Sequence, residues 1–377
     1  MKALGIVGEY NPFHQGHKYL IDTASALHKA DVCISVMSGN FVQRGNFAYY
    51  DKWQRAEAAV EKGVDLVVEL PQVYACSSSR LFAEGAIKLL NHLGCNILAF
   101  GSETGNEEAI KSYGDMIYQC ETKYAGDLRT AMKKGLSYPS AMSEVLKKRF
   151  NYEDTDLLQG PNDILAIEYI MSINRNGFNI IPSAIKRMGV GHLKTGTYIR
   201  NELLNSSQEG PRLKEMEERF FGLLKYRLVS MSALEIESFD TASEGLGNKI
   251  KDEIRYSKTL DELITNVKSK RYTYTRISRL LTHILLGIKP ELTMMAPAYI
   301  RPLAMNDKGA NYLKNIKKKN DRIEYVDDVS KAMKYGSQDV KNMLSIDIGA
   351  SDVYSILREG DMYQESDYVR KPAVLHL

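Results

Sequence analysis

Four short apolar runs, separated by stretches of helical length, most constrain the fold of this chain of 377 residues. They are KALGIVGE, DVCISVM, VDLVVEL and NILAFG, at residues 2–9, 31–37, 64–70 and 96–101. Their β-branched composition is typical of strands buried on both faces of a parallel sheet. The segments between them have helical period, and two of them end in a glycine, as helix C-caps often do. The alternation predicts a doubly wound α/β domain.

The later chain loses this alternation. Further elements are predicted as helix over 106–150 with breaks at Gly135 and Pro139, helix over 162–174, strand over 179–187 and helix from about Thr197. Residues 211–235 and 247–287 carry mostly helical patterns. We therefore predict an α/β domain over residues 1–205 and a mainly helical region over residues 206–377.

The composition indicates where the protein is located and the state of its cysteines. No stretch approaches the 18 consecutive apolar residues of a membrane span, and the N-terminus reads as a first strand, so we expect a cytoplasmic protein. The four cysteines have no CxxC spacing and are expected to be reduced and buried: Cys33, Cys76, Cys95 and Cys120.

Charge is unevenly distributed along the chain. The net charge is +3, but residues 251–320 hold 15 Lys and Arg against 6 Asp and Glu, an excess of +9. The rest of the chain is therefore acidic, which singles out this segment as a candidate surface for a polyanion.

The loop after the first predicted strand contains two histidines in HQGH, His14 and His17. A helix follows from about Gly16, and the N-terminus of a helix after a strand favours phosphate binding through free amides and the helix dipole. Two imidazoles there would donate hydrogen bonds to phosphoryl oxygens. A metal site and a structural role at the helix start are the alternatives, although no spacing such as HExxH accompanies the pair.

Longer blocks of sequence are more specific than HQGH. EYNPFHQGH, MSGNFVQRGNFAYYDKWQRAEAAVEKGVDLVVELP, FGSE, GPNDILAIEYI and IKRMG together resemble the bacterial tRNA(Met) cytidine acetate ligase family. That family belongs to the nucleotidyltransferases with an HxGH signature, which they share with class I aminoacyl-tRNA synthetases. The resemblance is dense over residues 1–105 and 157–189, and it implies a Rossmann-like nucleotidyltransferase domain with a parallel sheet.

The resemblance also implies a reaction. Acetate would attack ATP to give acetyl-adenylate and pyrophosphate, and N4 of the wobble cytidine of elongator tRNA(Met) would then take the acetyl group. Its implied catalytic residues are His14 and His17. Its implied ATP-binding residues are Val7, Gly8, Glu9, Tyr10, Asn11, Pro12, Phe13, His14, Gln15, Gly16, His17, Lys18, Tyr19, Leu20, Gly101, Asn162 and Arg187.

Three of these positions lie far from the first loop, and their residue types suit the role. Gly101 ends a strand where the absence of a side chain lets adenine or ribose approach the backbone, although a turn glycine looks the same. Asn162 starts a helix, where it either faces a ligand or completes the helix end. Arg187 closes a strand, where it either clamps phosphate or lies on the surface.

Other cations are candidates for the same ligands. Arg44, in the loop after the second predicted strand, is a candidate phosphate contact. Lys52 and Arg55 would face phosphate or tRNA, or lie on a solvated face.

The segment VGHLKTGTYIR, residues 190–200, is shorter than its counterpart in the family, which puts the role of His192 in doubt. Thr195, Thr197 and Arg200 nevertheless keep two hydroxyls and a guanidinium at a helix start, suited to phosphate.

A second basic stretch, VKSKRYTYTRISRLLTHILLGI, is the candidate tRNA surface. Its cations, interleaved with Tyr272 and Tyr274, are Lys268, Lys270, Arg271, Arg276 and Arg279. An amphipathic helix with a solvated polar face is the alternative. The run KNIKKKN at residues 314–320 is a weaker candidate.

Two other functions fit parts of the chain. One is a small-molecule nucleotidyltransferase of cofactor synthesis, which would not need the basic second region. The other is a tRNA-binding protein without catalysis, which turnover would distinguish from the ligase. Mg²⁺ is expected to accompany ATP, although the sequence shows no dedicated carboxylate set for it.

Overall fold

The computed structural model describes residues 1–136, 138–152, 160–187, 195–240, 245–269, 271–320, 322–360 and 366–377. A seven-stranded sheet organises them, in the order β5-β4-β1-β2-β3-β7-β9. Its strands are β1 (Ala3–Gly8), β2 (Val32–Ser38), β3 (Leu66–Leu70), β4 (Ile97–Ser102), β5 (Ile181–Lys186), β7 (Pro302–Asn306) and β9 (Ala373–Leu375). A separate pair joins β6 (Tyr299–Ile300) to β8 (Glu324–Tyr325).

The first five strands of the sheet are parallel, as the apolar runs predicted. β2 and β3 are buried at every position, which explains why their sequences are continuously apolar. The chain runs outward in one direction from β1 to β3 and in the other from β4 to β5. The strand order therefore reverses between β1 and β4, and the crevice above their carboxyl ends is where such sheets bind ligands.

Helices cover both faces of the sheet. Those of the first 205 residues are α1 (Gln15–His28), α2 (Lys52–Glu61), α3 (Gln72–Ala75), α4 (Ser79–His92), α5 (Glu107–Glu121), α6 (Ala125–Lys133), α7 (Tyr138–Phe150), α8 (Pro161–Asn176) and α9 (Gly196–Leu204). The segment predicted as helix over 106–150 is three helices, with Gly135 in a left-handed conformation before the last of them. The break between α5 and α6, near Thr122, has no glycine or proline and was not predicted.

The second part of the chain is mainly helical, as predicted. Its helices are α10 (Glu209–Ser230), α11 (Ala233–Glu237), α12 (Leu246–Glu253), α13 (Leu260–Val267), α14 (Tyr274–Leu286), α15 (Pro290–Thr293), α16 (Asp307–Lys319), α17 (Val329–Tyr335) and α18 (Gln338–Glu359). β7 and β9 nevertheless belong to the first domain's sheet, where β7 pairs antiparallel with β3. The division near residue 205 remains a prediction, and it does not separate the strands of the sheet.

A buried cluster of charges joins the end of the chain to this sheet. Lys52 Nζ lies 2.8 Å from both Glu69 Oε1 and Asp367 Oδ2. Arg301 Nη1 lies 3.0 Å from Glu69 Oε2 and 2.8 Å from the same oxygen of Asp367. All four side chains are almost completely buried. We expected Lys52 to face phosphate or tRNA, or to lie on a solvated face. It does neither, because it is buried among these charges.

Two other expectations concern burial. All four cysteines are buried and unbridged, as predicted. No helix in the described ranges is both long and apolar enough to cross a membrane.

Candidate active site

The loop between β1 and α1 places the two histidines at the crevice. Tyr10, at φ 46°, turns the chain, and a cis bond joins Asn11 to Pro12. The Tyr10 ring is buried, and its hydroxyl lies 2.9 Å from Ser35 Oγ on β2. Tyr10 also packs edge-on against His17, with ring centroids 5.0 Å apart. The imidazole of His17 is thereby held at the carboxyl end of the sheet.

The histidines cap the start of α1. His14 is the N-cap residue, and its Nδ1 accepts a hydrogen bond from the Gly16 amide at 3.0 Å. His17 Nδ1 accepts one from the His14 amide at 3.2 Å, which completes a capping box. The two rings stack with centroids 3.7 Å apart. The structural role at the helix start, which was one alternative for this pair, is therefore confirmed, since both side chains complete the helix end. It does not exclude a second role for the ring atoms that face away from the helix.

This capping also fixes the chemistry of the rings. An Nδ1 that accepts a hydrogen bond carries no proton, so each neutral ring has its proton on Nε2. Burial lowers the pKa of His14 to about 4, and Arg187 and Arg200 add to the effect. Burial and the neighbouring His14 hold the pKa of His17 well below its usual value. At neutral pH the pair therefore presents two uncharged Nε2–H donors.

A cavity of about 420 Å³ lies in the crevice beside these donors. Of the residues expected to bind ATP, those that line it are Val7, Gly8, Glu9, Tyr10, His14, Gly16, His17, Tyr19, Leu20, Gly101, Asn162 and Arg187. The four candidate phosphate contacts line it too: Arg44, Thr195, Thr197 and Arg200. Residues separated by nearly 200 positions thus share one cavity.

Five residues of the expected ATP loop do not line the cavity: Asn11, Pro12, Phe13, Gln15 and Lys18. The Asn11 side chain is buried, where its Oδ1 accepts a hydrogen bond from the Tyr49 amide at 2.8 Å. Lys18 pairs with Asp22 one helical turn away. The Asn11 side chain therefore supports the loop, and that of Lys18 pairs along the helix.

The start of α9 closes the cavity over His14. Thr195 caps the helix by accepting from the Tyr198 amide at 3.2 Å. A Cβ at Gly196 would lie 3.4 Å from His14 Nε2, so the backbone there approaches the donor closely. Arg200 donates to the Asn11 carbonyl at 3.0 Å and to Thr197 Oγ1 at 3.2 Å. A guanidinium, two hydroxyls and a helix N-terminus therefore surround one Nε2–H, as anion binding requires.

One part of the cavity wall, which we call the apolar wall, is formed by Phe82, Phe100, Leu165 and Tyr169. The rings of Phe100 and Tyr169 pack with their centroids 6.2 Å apart. Gly101 follows Phe100 near the carboxyl end of β4, where a Cβ would lie 3.4 Å from Arg187 Cγ, at an ordinary contact distance. A flat aromatic base fits the apolar wall better than a phosphate does.

Two carboxylates at the start of α8, next to Asn162, were not predicted. Glu103 accepts hydrogen bonds from the Asn162 amide at 3.2 Å, from Asn162 Nδ2 and from the Asp163 amide at 2.9 Å. Asp163 in turn accepts from the Glu103 and Thr104 amides at 3.2 and 3.1 Å. We call this reciprocal arrangement the Glu103–Asp163 clasp. An acidic residue directly after a strand, in FGSE, was its only sign in the sequence.

The loop after β2 joins the cavity to the second part of the chain. Gln43 and Arg44 line the cavity. The next carbonyl, of Gly45, accepts hydrogen bonds from Ser278 Oγ at 3.1 Å and Thr282 Oγ1 at 2.7 Å, both on α14. Gly45 has φ 83°, and a Cβ on it would lie 2.6 Å from the backbone of α14. The predicted tRNA-binding helix therefore packs directly on a wall of the cavity.

The basic residues of the stretch from Lys268 to Arg279 are not equivalent. Lys268 and Arg271 are exposed. Arg276 pairs with Asp240 at 2.8 Å, and Arg279 is partly buried, which lowers its pKa. Tyr272 is buried against Arg276, so its ring is not a free stacking surface. Lys270 lies outside the described residues.

Two further expectations need correction or limits. Arg55 is buried and donates to the carbonyls of Glu9, Ser38 and Tyr50, so it supports the loop instead of facing phosphate or tRNA. His192 lies outside the described residues. Within the described ranges no three His, Cys, Asp or Glu side chains are grouped as metal ligands would be.

The fold and this cavity define a nucleotidyltransferase-type α/β protein. The model of the HIGH Nucleotidyl Transferase family matches residues 1–368. A tRNA(Met) cytidine acetate ligase of Clostridium perfringens strain SM101 is 38% identical, over 99% of this chain and 100% of the relative. One from Clostridium novyi strain NT is 36% identical over the whole of both chains.

A solved structure agrees. Thermotoga maritima TmcAL bound with alpha-thio ATP superposes with a TM-score of 0.90 and 31% identity, covering 100% of both chains. This chain therefore belongs to the tRNA(Met) cytidine acetate ligase family of HIGH nucleotidyltransferases. The predicted family, fold and ligase class are confirmed.

One predicted difference from the family is a shortened segment after Arg187. The Clostridium perfringens SM101 alignment spans 410 positions, more than the 377 residues of this chain, so that relative holds residues this chain lacks. The predicted shortening after Arg187 concerns residues 188–200, of which 188–194 lie outside the described residues.

Proposed function

We propose that this protein activates acetate with ATP and transfers the acetyl group to N4 of the wobble cytidine of elongator tRNA(Met). The observation that carries the proposal is the pair of Nε2–H donors fixed by capping, with Arg200 and the α9 N-terminus around one of them. Charge develops on the α-phosphate oxygens during attack, and donors already in place stabilise it without reorganisation.

In the first step a carboxylate oxygen of acetate forms a bond to the α-phosphorus of ATP while the bond to the β-phosphate oxygen breaks. Pyrophosphate leaves with the electron pair. His14 and His17 hold the α-phosphate, and Arg200, Thr197 and Arg44 bind the leaving phosphates. Neutral imidazoles suit this role because they donate hydrogen bonds while both Nδ1 atoms remain engaged in capping.

In the second step N4 of the cytidine attacks the acetyl carbonyl carbon, AMP leaves and N4 loses a proton. The cytidine must reach the α-phosphate end of the cavity. The contact of α14 with Gly45 supports tRNA binding on that side, since the exposed Lys268 and Arg271 lie within a few residues of the start of α14, which packs against the cavity wall. Phosphate contacts would position the tRNA there.

Mg²⁺ is proposed to enter with ATP. In the described ranges the protein groups no three carboxylates or histidines for it, so the phosphates and water would supply most of its ligands. A cytoplasmic location follows from the proposed substrate.

The proposal is tested by incubating the protein with ATP, labelled acetate and elongator tRNA(Met), followed by pyrophosphate assay and nucleoside analysis. We expect pyrophosphate that depends on acetate, and labelled N4-acetylcytidine. No acetate-dependent pyrophosphate would overturn the activation step. Pyrophosphate without labelled tRNA would favour a small-molecule nucleotidyltransferase, and tRNA binding without turnover would favour a binding protein.

The tRNA surface is tested by salt dependence. Lys268→Ala and Arg271→Ala should each weaken tRNA binding and reduce the slope of log K against log salt by about 1. Lys62→Ala is the matched control, because Lys62 is exposed at the C-terminal end of α2, at the opposite edge of the sheet from the cavity. Equal losses in all three variants would show that the effect is one of overall charge.

A further inference from the structure

We infer that Glu103 is a positioning residue that fixes the Asn162 amide in one orientation and thereby selects adenine over 6-oxopurines. This inference rests on the proposed function, because it assigns the base of the nucleotide to the apolar wall of the cavity.

The orientation of Asn162 follows from the chemistry of its partner. Glu103 is an acceptor as a carboxylate, so the Asn162 side-chain atom that contacts it must be the Nδ2 amide nitrogen. Glu103 also accepts from the backbone amides of Asn162 and Asp163, at 3.2 and 2.9 Å. Three donors converge on this one side chain, and a flipped Asn162 would replace one of them with an acceptor facing a carboxylate.

The oxygen of the same amide is then left for the cavity. Asn162 lines the cavity, whereas Glu103 does not. Within the described ranges Asn162 Oδ1 accepts no hydrogen bond from the protein. Asn162 therefore offers the cavity an acceptor.

The position of this acceptor matches one part of the nucleotide. Asn162 lies in the first turn of α8, the helix that also brings Leu165 and Tyr169 to the apolar wall beside Phe100, whereas the phosphate donors around His14 belong to the starts of α1 and α9. The exocyclic amine of adenine donates to such an oxygen. The 6-oxo group of hypoxanthine or guanine would instead present a second acceptor to it, which is unfavourable.

The clasp explains why this arrangement is held rigidly. Asp163, which is completely buried, returns the hydrogen bonds of Glu103 by accepting from the amides of Glu103 and Thr104. The end of β4 and the start of α8 are therefore tied together from both sides. Gly160 completes the fit, because a Cβ there would lie 2.5 Å from Glu103 Oε2.

The experiment measures equilibrium binding of ATP and inosine triphosphate by calorimetry, without acetate or tRNA. The wild-type protein should prefer ATP, and Glu103→Gln should reduce that preference roughly tenfold, because a glutamine offers an amide that lets Asn162 turn over. Ser102→Ala is the control: it removes a hydrogen bond to Asp163 in the same clasp but leaves Asn162 and Glu103 in place. It should lower thermal stability and keep the preference.

Two results would overturn the inference. One is a Glu103→Gln protein that loses affinity for both nucleotides equally, and the other is a Ser102→Ala protein that loses the preference to the same extent. Asn162→Ala gives a second test if Glu103→Gln does not fold, because the two backbone hydrogen bonds to Glu103 remain. It should abolish the preference, and retention would refute the proposal. Binding needs no acetyl transfer, so a failure of the proposed reaction would be seen separately, as missing pyrophosphate.

Discussion

His14 performs two tasks that substitution can separate. Its Nδ1 caps α1 through the Gly16 amide, and its Nε2–H faces the cavity near Gly196. Asparagine is among the best N-cap residues and keeps an acceptor for the helix amide, but its side chain is too short to place a donor where His14 Nε2 lies. His14→Asn should therefore retain the fold and lose the donor, whereas His14→Ala loses both.

The magnitudes follow from these contacts. Removing one preorganised donor to developing charge costs on the order of 10²–10³ in rate. Both substitutions should therefore slow acetate-dependent ATP–pyrophosphate exchange by roughly that factor. Loss of an N-cap costs about 1 kcal/mol of unfolding free energy, which should appear in His14→Ala and be much smaller in His14→Asn.

The assay combines exchange rates with urea denaturation of both variants and the wild type. A slow His14→Asn protein of near-normal stability would support the catalytic donor. A His14→Asn protein with a normal exchange rate would refute it, and the histidine would then be only a cap. A Gln15→Ala variant serves as the matched control, since Gln15 lies in the same turn but does not line the cavity.

The remaining predictions concern pH, phosphate binding and the buried charges. The pKa of His14 is lowered to about 4, and its neutral ring caps α1 through Nδ1 while donating from Nε2, so kcat at saturating ATP and acetate should show no inflection near 6.5 and fall only as the pH approaches 4. An inflection near 6.5 would contradict this electrostatic picture. Arg200→Lys should lower kcat/KM for ATP by roughly 10- to 100-fold, since a lysine cannot bridge Asn11 and a phosphate at once; steady-state kinetics with unchanged tRNA binding would check this. Asp367→Asn should cost about 3–5 kcal/mol of unfolding free energy in urea, because Lys52 and Arg301 would be left with one buried carboxylate between them; a loss below about 1 kcal/mol would argue against the cluster.

The sequence predicted the features that depend on neighbouring residues. Apolar runs define the first four strands to within one or two residues, since burial on both faces leaves a continuous signal. The strand, loop and helix start around HQGH were predicted as well, whereas the phosphate-binding role of this loop stays a proposal. The capping box at His14 and His17 uses atoms only three residues apart, although its effect on the tautomers required the structure.

The sequence did not predict contacts between residues that lie far apart along the chain. Glu103 and Asn162 are separated by 59 positions, and nothing in the sequence around either residue indicates that the two are in contact. Lys52 follows a loop that resembles a phosphate-binding surface, yet its partners are Glu69 and Asp367, the second of them 315 residues away. A buried cation looks like a surface cation in sequence, because its burial depends on carboxylates that only the fold brings near.

The addition of β7 and β9 to the sheet is the clearest example of a feature that the sequence did not predict. β7 has five residues and β9 three, too few for a periodic signal, and they follow a region of helical pattern. Yet Arg301, beside β7, and Asp367, ahead of β9, supply two of the four charges of the buried cluster that contains Lys52. Without them Lys52 and Glu69 would have only each other as ion-pair partners among the described residues, and a buried ion pair rarely recovers its desolvation cost unaided. The end of the chain therefore belongs to the architecture that holds α2 against the sheet, and with it the loop of Arg44 that joins the cavity to α14.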